Sequence, residues 1–248
     1  MHENLNKIFL SLLFFAYSLT SLSQKDIPWQ SLFDGRSLQG WSVLGKPANV
    51  QIKDSCIMLH MTPYTSRHSF VRTNRQFKDF IFEVEFRRDL NIDSGILFRA
   101  EDAPDTAFQD LFGYMVKIDP SQTRLWTGGV FIDYGNGLQW LYPLDQNERA
   151  KHAEKAKGEW NKIRIEAIGQ DMKVFLNNVP SVHLKDDKYK KGYIAFKIHY
   201  LMAEKEKADL EIAYRNPRIV TKHLKKYALT GEVAIKDTRR ISDIKYFR

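Results

Sequence analysis

Three short stretches place ionisable side chains at even spacing from apolar ones: Ile96-Leu97-Phe98-Arg99, Val116-Lys117-Ile118-Asp119 and Phe196-Lys197-Ile198-His199. Side chains along an extended strand alternate between two faces, so residues two apart share one. If Ile96 and Phe98 face a core, Leu97 and Arg99 face away from it. Val116 and Ile118 likewise send Met115, Lys117 and Asp119 outward, and Phe196 and Ile198 send Lys197 and His199 outward. Strands of one sheet would then gather Arg99, Lys117, Lys197 and His199 on a common outer face, with Glu83 and Glu85 beside them. Histidine exchanges protons near neutral pH, and cations beside it stabilise an oxyanion as it forms. A single polar residue on an outer sheet face is ordinarily just solvated. The cluster points to chemistry.

A second constellation is aromatic. Arg124-Leu125-Trp126-Thr127-Gly128-Gly129-Val130-Phe131 sets a Trp beside two glycines, and Tyr134, Trp140 and Tyr142 follow closely. Glycine lets a backbone approach a ligand, and a Trp ring offers an apolar plate to a sugar face. The group reads either as a binding rim or as the closure of one end of a sandwich.

The elements that must position these residues are strands. Residues 80–87 alternate strictly, with Phe80, Phe82, Val84 and Phe86 on one face and Glu83, Glu85 and Arg87 on the other. That is the period-two signature of a half-buried strand. Similar runs cover 95–100, 114–119, 162–167, 172–176, 193–199 and 210–214. Asn177-Asn178 marks a hairpin, because Asn tolerates positive φ. Residues 144–157, rich in Ala, Lys and Glu, read as helix or loop. The chain holds 16 Phe, 11 Tyr and 5 Trp, types that pack well on a pleated surface. The expected fold is all-β: a two-sheet jelly-roll β-sandwich of the concanavalin A-like kind, with one short helical excursion.

Lys7 and the apolar run Ile8-Phe9-Leu10-Ser11-Leu12-Leu13-Phe14-Phe15-Ala16-Tyr17, followed by small residues, read as a secretory signal peptide over 1–23. The run is shorter than the roughly 20 apolar residues of a membrane span. The expected organisation is a signal at 1–23, a jelly-roll domain at 24–222 and a basic C-terminal tail at 223–248. The tail would add an edge strand or stay apart from the sheets. The expected location is secreted or periplasmic. Cys56 is the only cysteine, so no internal disulfide supports the fold. The net charge is +8, yet no Lys/Arg block of the kind that tracks phosphates is present, which argues against nucleic acid as a partner. There is no Gly-x-Ser-x-Gly elbow, no phosphate loop and no Cys-x-x-Cys. The 7 His show no close metal-ligand spacing, and neither a metal nor a cofactor is expected.

At these residues the chain resembles the 3-keto-disaccharide hydrolase domain family. The resemblance runs from Trp29 to Val220. It is carried by Leu32-Phe33-Asp34-Gly35-Arg36-Ser37-Leu38 with Gly40-Trp41, by Asp93-Ser94-Gly95-Ile96-Leu97-Phe98-Arg99, by Gly128-Gly129-Val130-Phe131, by Trp140-Leu141-Tyr142-Pro143, and by Gly192-Tyr193-Ile194-Ala195-Phe196-Lys197-Ile198-His199. It implies a lectin-like jelly roll acting on sugars oxidised at carbon 3. A base removes the acidified C2 proton, the glycosidic group leaves C1, and water adds back. Carried over, His199 matches the family's strand-end His as base or acid, and Arg99 would bind the ketone oxygen. Asp93 stands before Ser-Gly, where relatives have Asn or Asp. Lys117 stands where many relatives carry Glu, and Lys197 where they carry Gln. Two lysines suit enolate or anion stabilisation and an acidic sugar, and work against a divalent metal. Glu85 or Glu83 could replace the missing carboxylate. The expected catalytic residues are therefore His199, Arg99 and Lys117, and the expected substrate-binding residues are Glu85, Asp93, Asp119, Trp126, Tyr142 and Lys197. The alternative is a non-catalytic carbohydrate-binding module of the same fold.

Overall fold

Phe80, Phe82, Val84 and Phe86 are all buried in one interior cluster, and the strand that carries them is central to the larger of two sheets. The computed structural model describes residues 26–45, 49–61, 68–89, 91–104, 110–133, 138–199 and 210–239. Residues 1–23, read above as a signal peptide, lie outside the described residues, as do Tyr134 and the end of the tail from 240. In chain order the strands are β1 (Gln30–Ser31), β2 (Trp41–Gly45), β3 (Asn49–Lys53), β4 (Cys56–His60), β5 (Ser69–Thr73), β6 (Phe80–Arg88), β7 (Ser94–Asp102) and β8 (Leu111–Ile118). They continue as β9 (Val130–Asp133), β10 (Leu138–Tyr142), β11 (Asn161–Ile168), β12 (Asp171–Leu176), β13 (Val179–Lys185), β14 (Tyr193–Ile198), β15 (Glu211–Val220) and β16 (Lys236–Asp237).

One sheet has the order β16-β13-β12-β11-β6-β15-β4-β3, with β1 on β15; the other has the order β10-β9-β8-β7-β14-β5-β2. All pairings are antiparallel except β13 with β16. The fold is thus the two-sheet jelly roll. Ile96, Phe98, Val116, Ile118, Phe196 and Ile198 of the seven-stranded sheet meet Phe82, Val84, Ile163 and Ile165 of the nine-stranded sheet in one core. Phe196 stacks on Tyr214 across the two layers, centroids 4.0 Å apart and rings 3° from parallel. Trp41 packs on the other side of Phe196 at 5.1 Å. Its indole N–H donates to the Leu32 carbonyl at 2.6 Å, so this buried donor is satisfied.

Asn177 and Asn178 both adopt positive φ, 50° and 67°. They form the two-residue turn between paired Leu176 and Val179, matching the twist of the flanking strands. Of residues 144–157 only α1 (Glu148–Lys151) is helical, capped by Asn147. A second short helix, α2 (Leu224–Tyr227), opens the C-terminal segment. Leu224 is buried against Ile81 and Val220, and β16 then adds to the edge at β13.

Gly192 pairs with Phe77 where β14 begins. A Cβ there would stand 2.2 Å from the Ala100 carbonyl oxygen, which is backbone and cannot swing aside. Gly192→Ala should therefore lower stability by about 2 kcal/mol or more, read as a lower urea midpoint at unchanged slope.

Candidate active site

The seven-stranded sheet has an outer face that is not a solvated wall. Phe70, Leu97, Met115, Phe131 and Ala195 are buried on it as a second apolar cluster. Among them the pleat brings up Lys117, Gly95 and Lys197 in a single row: Gly95 pairs with Lys117 on β8 and with Lys197 on β14. Lys117 is 5% exposed and Lys197 1%. Each ammonium lies over an aromatic ring, Lys117 over Phe131 and Lys197 over Phe70, both at 5.6 Å from the centroid. A Cβ at Gly95 would collide with the Met115 thioether at 2.7 Å, so glycine here lets Met115 fill the floor between the two lysines.

One residue beyond the end of β14, the His199 N–H donates to the Asp93 carbonyl at 3.0 Å. The Asp93 carboxylate is hydrogen-bonded to the Lys117 ammonium. The same oxygen lies 3.4 Å from His199 Nε2, which is buried and makes no aligned hydrogen bond. Asp93 keeps 34% of its side chain exposed, so the cluster meets solvent on that side. His68 packs edge-on to His199 at 4.7 Å.

Burial, then the charges of Lys197 and Lys117, depress both imidazoles: His68 to about 3, and His199 well below its ordinary value. Burial also lowers the Lys117 ammonium, against the opposing pull of Asp93. Asp119 is pushed up by burial, but the Arg124 guanidinium and the N–H groups of Trp126 and Ser121 hold it below the usual carboxylate range. The depressed His68 has a consequence for stability. Below pH 6.5 the unfolded chain protonates this ring while the folded chain does not, so stability falls as pH drops from 6.5 towards 3. Allowing for partial solvent screening, the loss should be about 1 kcal/mol between pH 7 and 5. Urea midpoints at the two pH values should show it; His68→Gln should remove this share of the dependence and leave the share carried by His199.

Beside the lysine row, a loop is built by Asp119. Its carboxylate accepts two hydrogen bonds from Arg124, at 2.9 and 2.6 Å, and the Trp126 N–H at 3.0 Å. The Asp119 side chain is fully buried. It acts as the post that holds Arg124 over Trp126 and Trp140, 5.2 and 5.6 Å from their centroids. Those two indoles meet edge-on at 4.8 Å, and Trp140 packs against Phe131 at 5.5 Å. The result is an aromatic flank beside Lys117.

Lys117, Lys197, His199 and Asp93 therefore come together, with Asp119 and Trp126 alongside. Arg99, Glu85 and Tyr142 do not. A bulge interrupts β7, whose register passes from Phe98↔Tyr114 to Glu101↔Phe112, and Arg99 takes φ 49°. One extra residue in a strand turns the following side chain to the other face. Arg99 is 1% exposed. It pairs with Asp79 at 3.1 Å and donates to the carbonyls of Lys78 and Tyr189. It clips the two sheets together, five residues from Ser94, or roughly 17 Å along the strand. The expectation that it binds a ketone oxygen is overturned by that geometry.

Glu85 and Glu83 belong to β6 in the other sheet, so neither replaces a carboxylate at the lysine row. Glu85 pairs with Arg215 at 2.5 Å. Glu83 is buried between Arg164 and Arg218, at 2.9 and 2.6 Å. Tyr142 donates its hydroxyl to the Ala234 carbonyl at 2.7 Å and lines a separate groove of about 590 Å³ against the C-terminal segment. A register shift between Trp140 and Tyr142 breaks the alternation that would have kept them on one face.

His68 and Arg124 complete the cluster and were not expected from the sequence. His68 precedes β5, a five-residue strand whose pairing with Lys197 only the fold reveals. Arg124 sits in the quoted Trp loop, and Asp119 five residues earlier was the available signal. Among the described residues no group of three or more His, Cys, Asp or Glu side chains could hold a metal ion. None of the described helices is long and apolar enough to cross a membrane.

Two stacked antiparallel sheets with a polar, aromatic-flanked cluster on one outer face define a jelly roll of the lectin and glucanase type. Solved structures bear out the class. A candidate glycosyl hydrolase of Parabacteroides distasonis is 13% identical, with 81% of this chain and 97% of that one covered, at a TM-score of 0.55. A carbohydrate-binding module, CBM66, of Bacillus subtilis is 13% identical over 73% and 96%, at 0.53. A beta-glucanase of Bacillus licheniformis is 10% identical over 78% and 97%, at 0.51. At such identities the likeness is one of fold. No curated protein matches the chain. The chain belongs to the 3-keto-alpha-glucoside-1,2-lyase-like domain family, which matches residues 28–220.

Proposed function

We propose that the outer face of the seven-stranded sheet binds a 3-keto-glycoside and that His199, Lys117 and Asp93 cleave its glycosidic bond. The observation that carries this reading is the linkage of Asp93 to Lys117 by a hydrogen bond and to His199 Nε2 at 3.4 Å. His199, neutral at working pH, takes the C2 proton. The electron pair moves onto the C3 oxygen, and Lys117 stabilises that enolate. In a buried site such a charge is worth far more than in water. Asp93 favours the imidazolium that forms.

Collapse of the enolate restores the ketone, makes a C1–C2 double bond and expels the aglycone oxygen from C1. The imidazolium returns its proton to that oxygen. Addition of water across the double bond, hydroxyl to C1 and proton to C2, gives net hydrolysis. Trp126 and Trp140 offer ring faces to the sugar. Export through residues 1–23 would place the reaction outside the cytoplasm.

The test is release of 4-nitrophenol from 4-nitrophenyl 3-keto-glucoside by the full chain. Turnover above the buffer rate is expected. Saturable binding without release would instead favour the module reading, which draws its support from the indole pair beside Arg124.

A further inference from the structure

The reaction proposed above puts charge on two oxygens in turn, and Lys117 meets only the first. The enolate forms on the C3 oxygen. An electron pair then departs with the glycosidic oxygen on C1. C1 and C3 are both bonded to C2, so these two oxygens flank the carbon whose proton His199 takes.

Arg124 lies beside that arrangement and has no task in it so far. Asp119, two residues on from Lys117 and so about 7 Å along an extended chain, accepts hydrogen bonds from its Nε and Nη2. Asp119 also accepts the Trp126 N–H, and its own side chain is fully enclosed, so the guanidinium is fixed at its base. The remaining nitrogen, Nη1, has no acceptor among the described residues, and the Arg124 side chain is 40% exposed. Besides burial and Asp93, the Lys117 ammonium feels the Arg124 charge. The Asp119 hydrogen bonds, then the charges of Asp119 and Asp93, raise Arg124 above its ordinary value against burial. A guanidinium so held keeps its protons and acts by charge and hydrogen bonding alone.

The open side of the face decides where an aglycone goes. Beyond Gly95, towards β14 and β5, Ala195 and Phe70 are buried. On the β8 side Arg124 is partly exposed over Trp126 and Trp140. A group leaving C1 has room there, next to Nη1.

We propose that Arg124 is the leaving-group residue: as the C1–O bond breaks, its Nη1–H donates to the glycosidic oxygen and holds the charge arriving there. The electron pair of that bond goes to the oxygen. The enolate pair restores the ketone and forms the C1–C2 double bond, and the His199 imidazolium supplies the proton. This inference rests on the lyase reading above.

The experiment compares the 4-nitrophenyl and methyl 3-keto-glucosides with the full chain, following 4-nitrophenol by absorbance and methanol by proton NMR. Nitrophenolate is a weak base that departs with little help, whereas methoxide is a strong one that needs its charge held. Arg124→Gln should lower kcat on the methyl glycoside by about 10²- to 10³-fold and on the nitrophenyl glycoside by less than about tenfold. A merely structural loss would strike both alike. Arg124→Gln leaves the enclosed Asp119 carboxylate without its cation, so a second variant, Arg124→Gln with Asp119→Asn, removes both charges and should show the same selective loss. Equal losses on the two substrates overturn the inference, as does an undiminished rate on the methyl glycoside or a wild-type chain that cleaves only the nitrophenyl glycoside. A wild-type chain that cleaves neither overturns the lyase reading itself, and this inference with it.

Discussion

Replacing His199 with Gln should lower kcat on a 3-keto-glycoside by about 10²- to 10⁴-fold, the usual worth of a positioned proton-transfer group. The loss should fall on kcat and leave KM nearly unchanged, because the imidazole acts on the C2 proton rather than on ground-state binding. The pH profile gives a second readout. Burial and the two lysines lower His199 well below its ordinary value, so the base is ready across neutral pH. The acid limb of kcat/KM should therefore lie well below 6.5. The lowered Lys117 should bring the alkaline limb in below 10.5, as the ammonium that holds the enolate is lost. In His199→Gln the acid limb should vanish with the activity. A profile that turns over near 6.5 would contradict the buried, lysine-flanked histidine.

Arg99→Gln should do the opposite: a large loss of stability with turnover per folded molecule unchanged. The guanidinium is enclosed, salt-bridged to Asp79 and bonded to two carbonyls that have few alternatives. Removing it leaves those acceptors short of a donor. Asp79 keeps the Gly169 N–H at 2.9 Å and 38% exposure, so its charge is not stranded. The expected cost is about 2–3 kcal/mol, or a melting temperature lower by roughly 5–10 °C for a chain of this size. A selective fall in kcat at full stability would return Arg99 to the chemistry.

The two variants mark where sequence reasoning carried and where it stopped. Alternation put Lys117, Lys197 and His199 on one outer face because β8 and the end of β14 are regular there, and each has apolar partners every second residue. The same rule failed at Arg99, where a bulge inserts one residue; Tyr142, read as part of an aromatic rim beside Trp140, is parted from it where β10 slips against β9. Bulges are set by pairing with a neighbour and leave little trace in a single strand. Glu83 and Glu85 failed for another reason. Their faces were read correctly, but which sheet β6 joins depends on contacts with β11 and β15, some 80 and 130 residues away in the chain. The position of His68 likewise depends on the long-range pairing of β5 with β14. Local periodicity speaks to faces, and only the assembled sheet decides neighbours.

The most direct measurement uses a 3-keto C-glycoside, in which carbon replaces the glycosidic oxygen and cannot leave. The site could then only remove and return the C2 proton. In deuterium oxide, proton NMR should show the C2 signal disappearing in the presence of the wild-type chain and persisting with His199→Gln. A C2 signal that decays no faster with the wild-type chain than in buffer would contradict proton abstraction at the His199, Asp93 and Lys117 cluster.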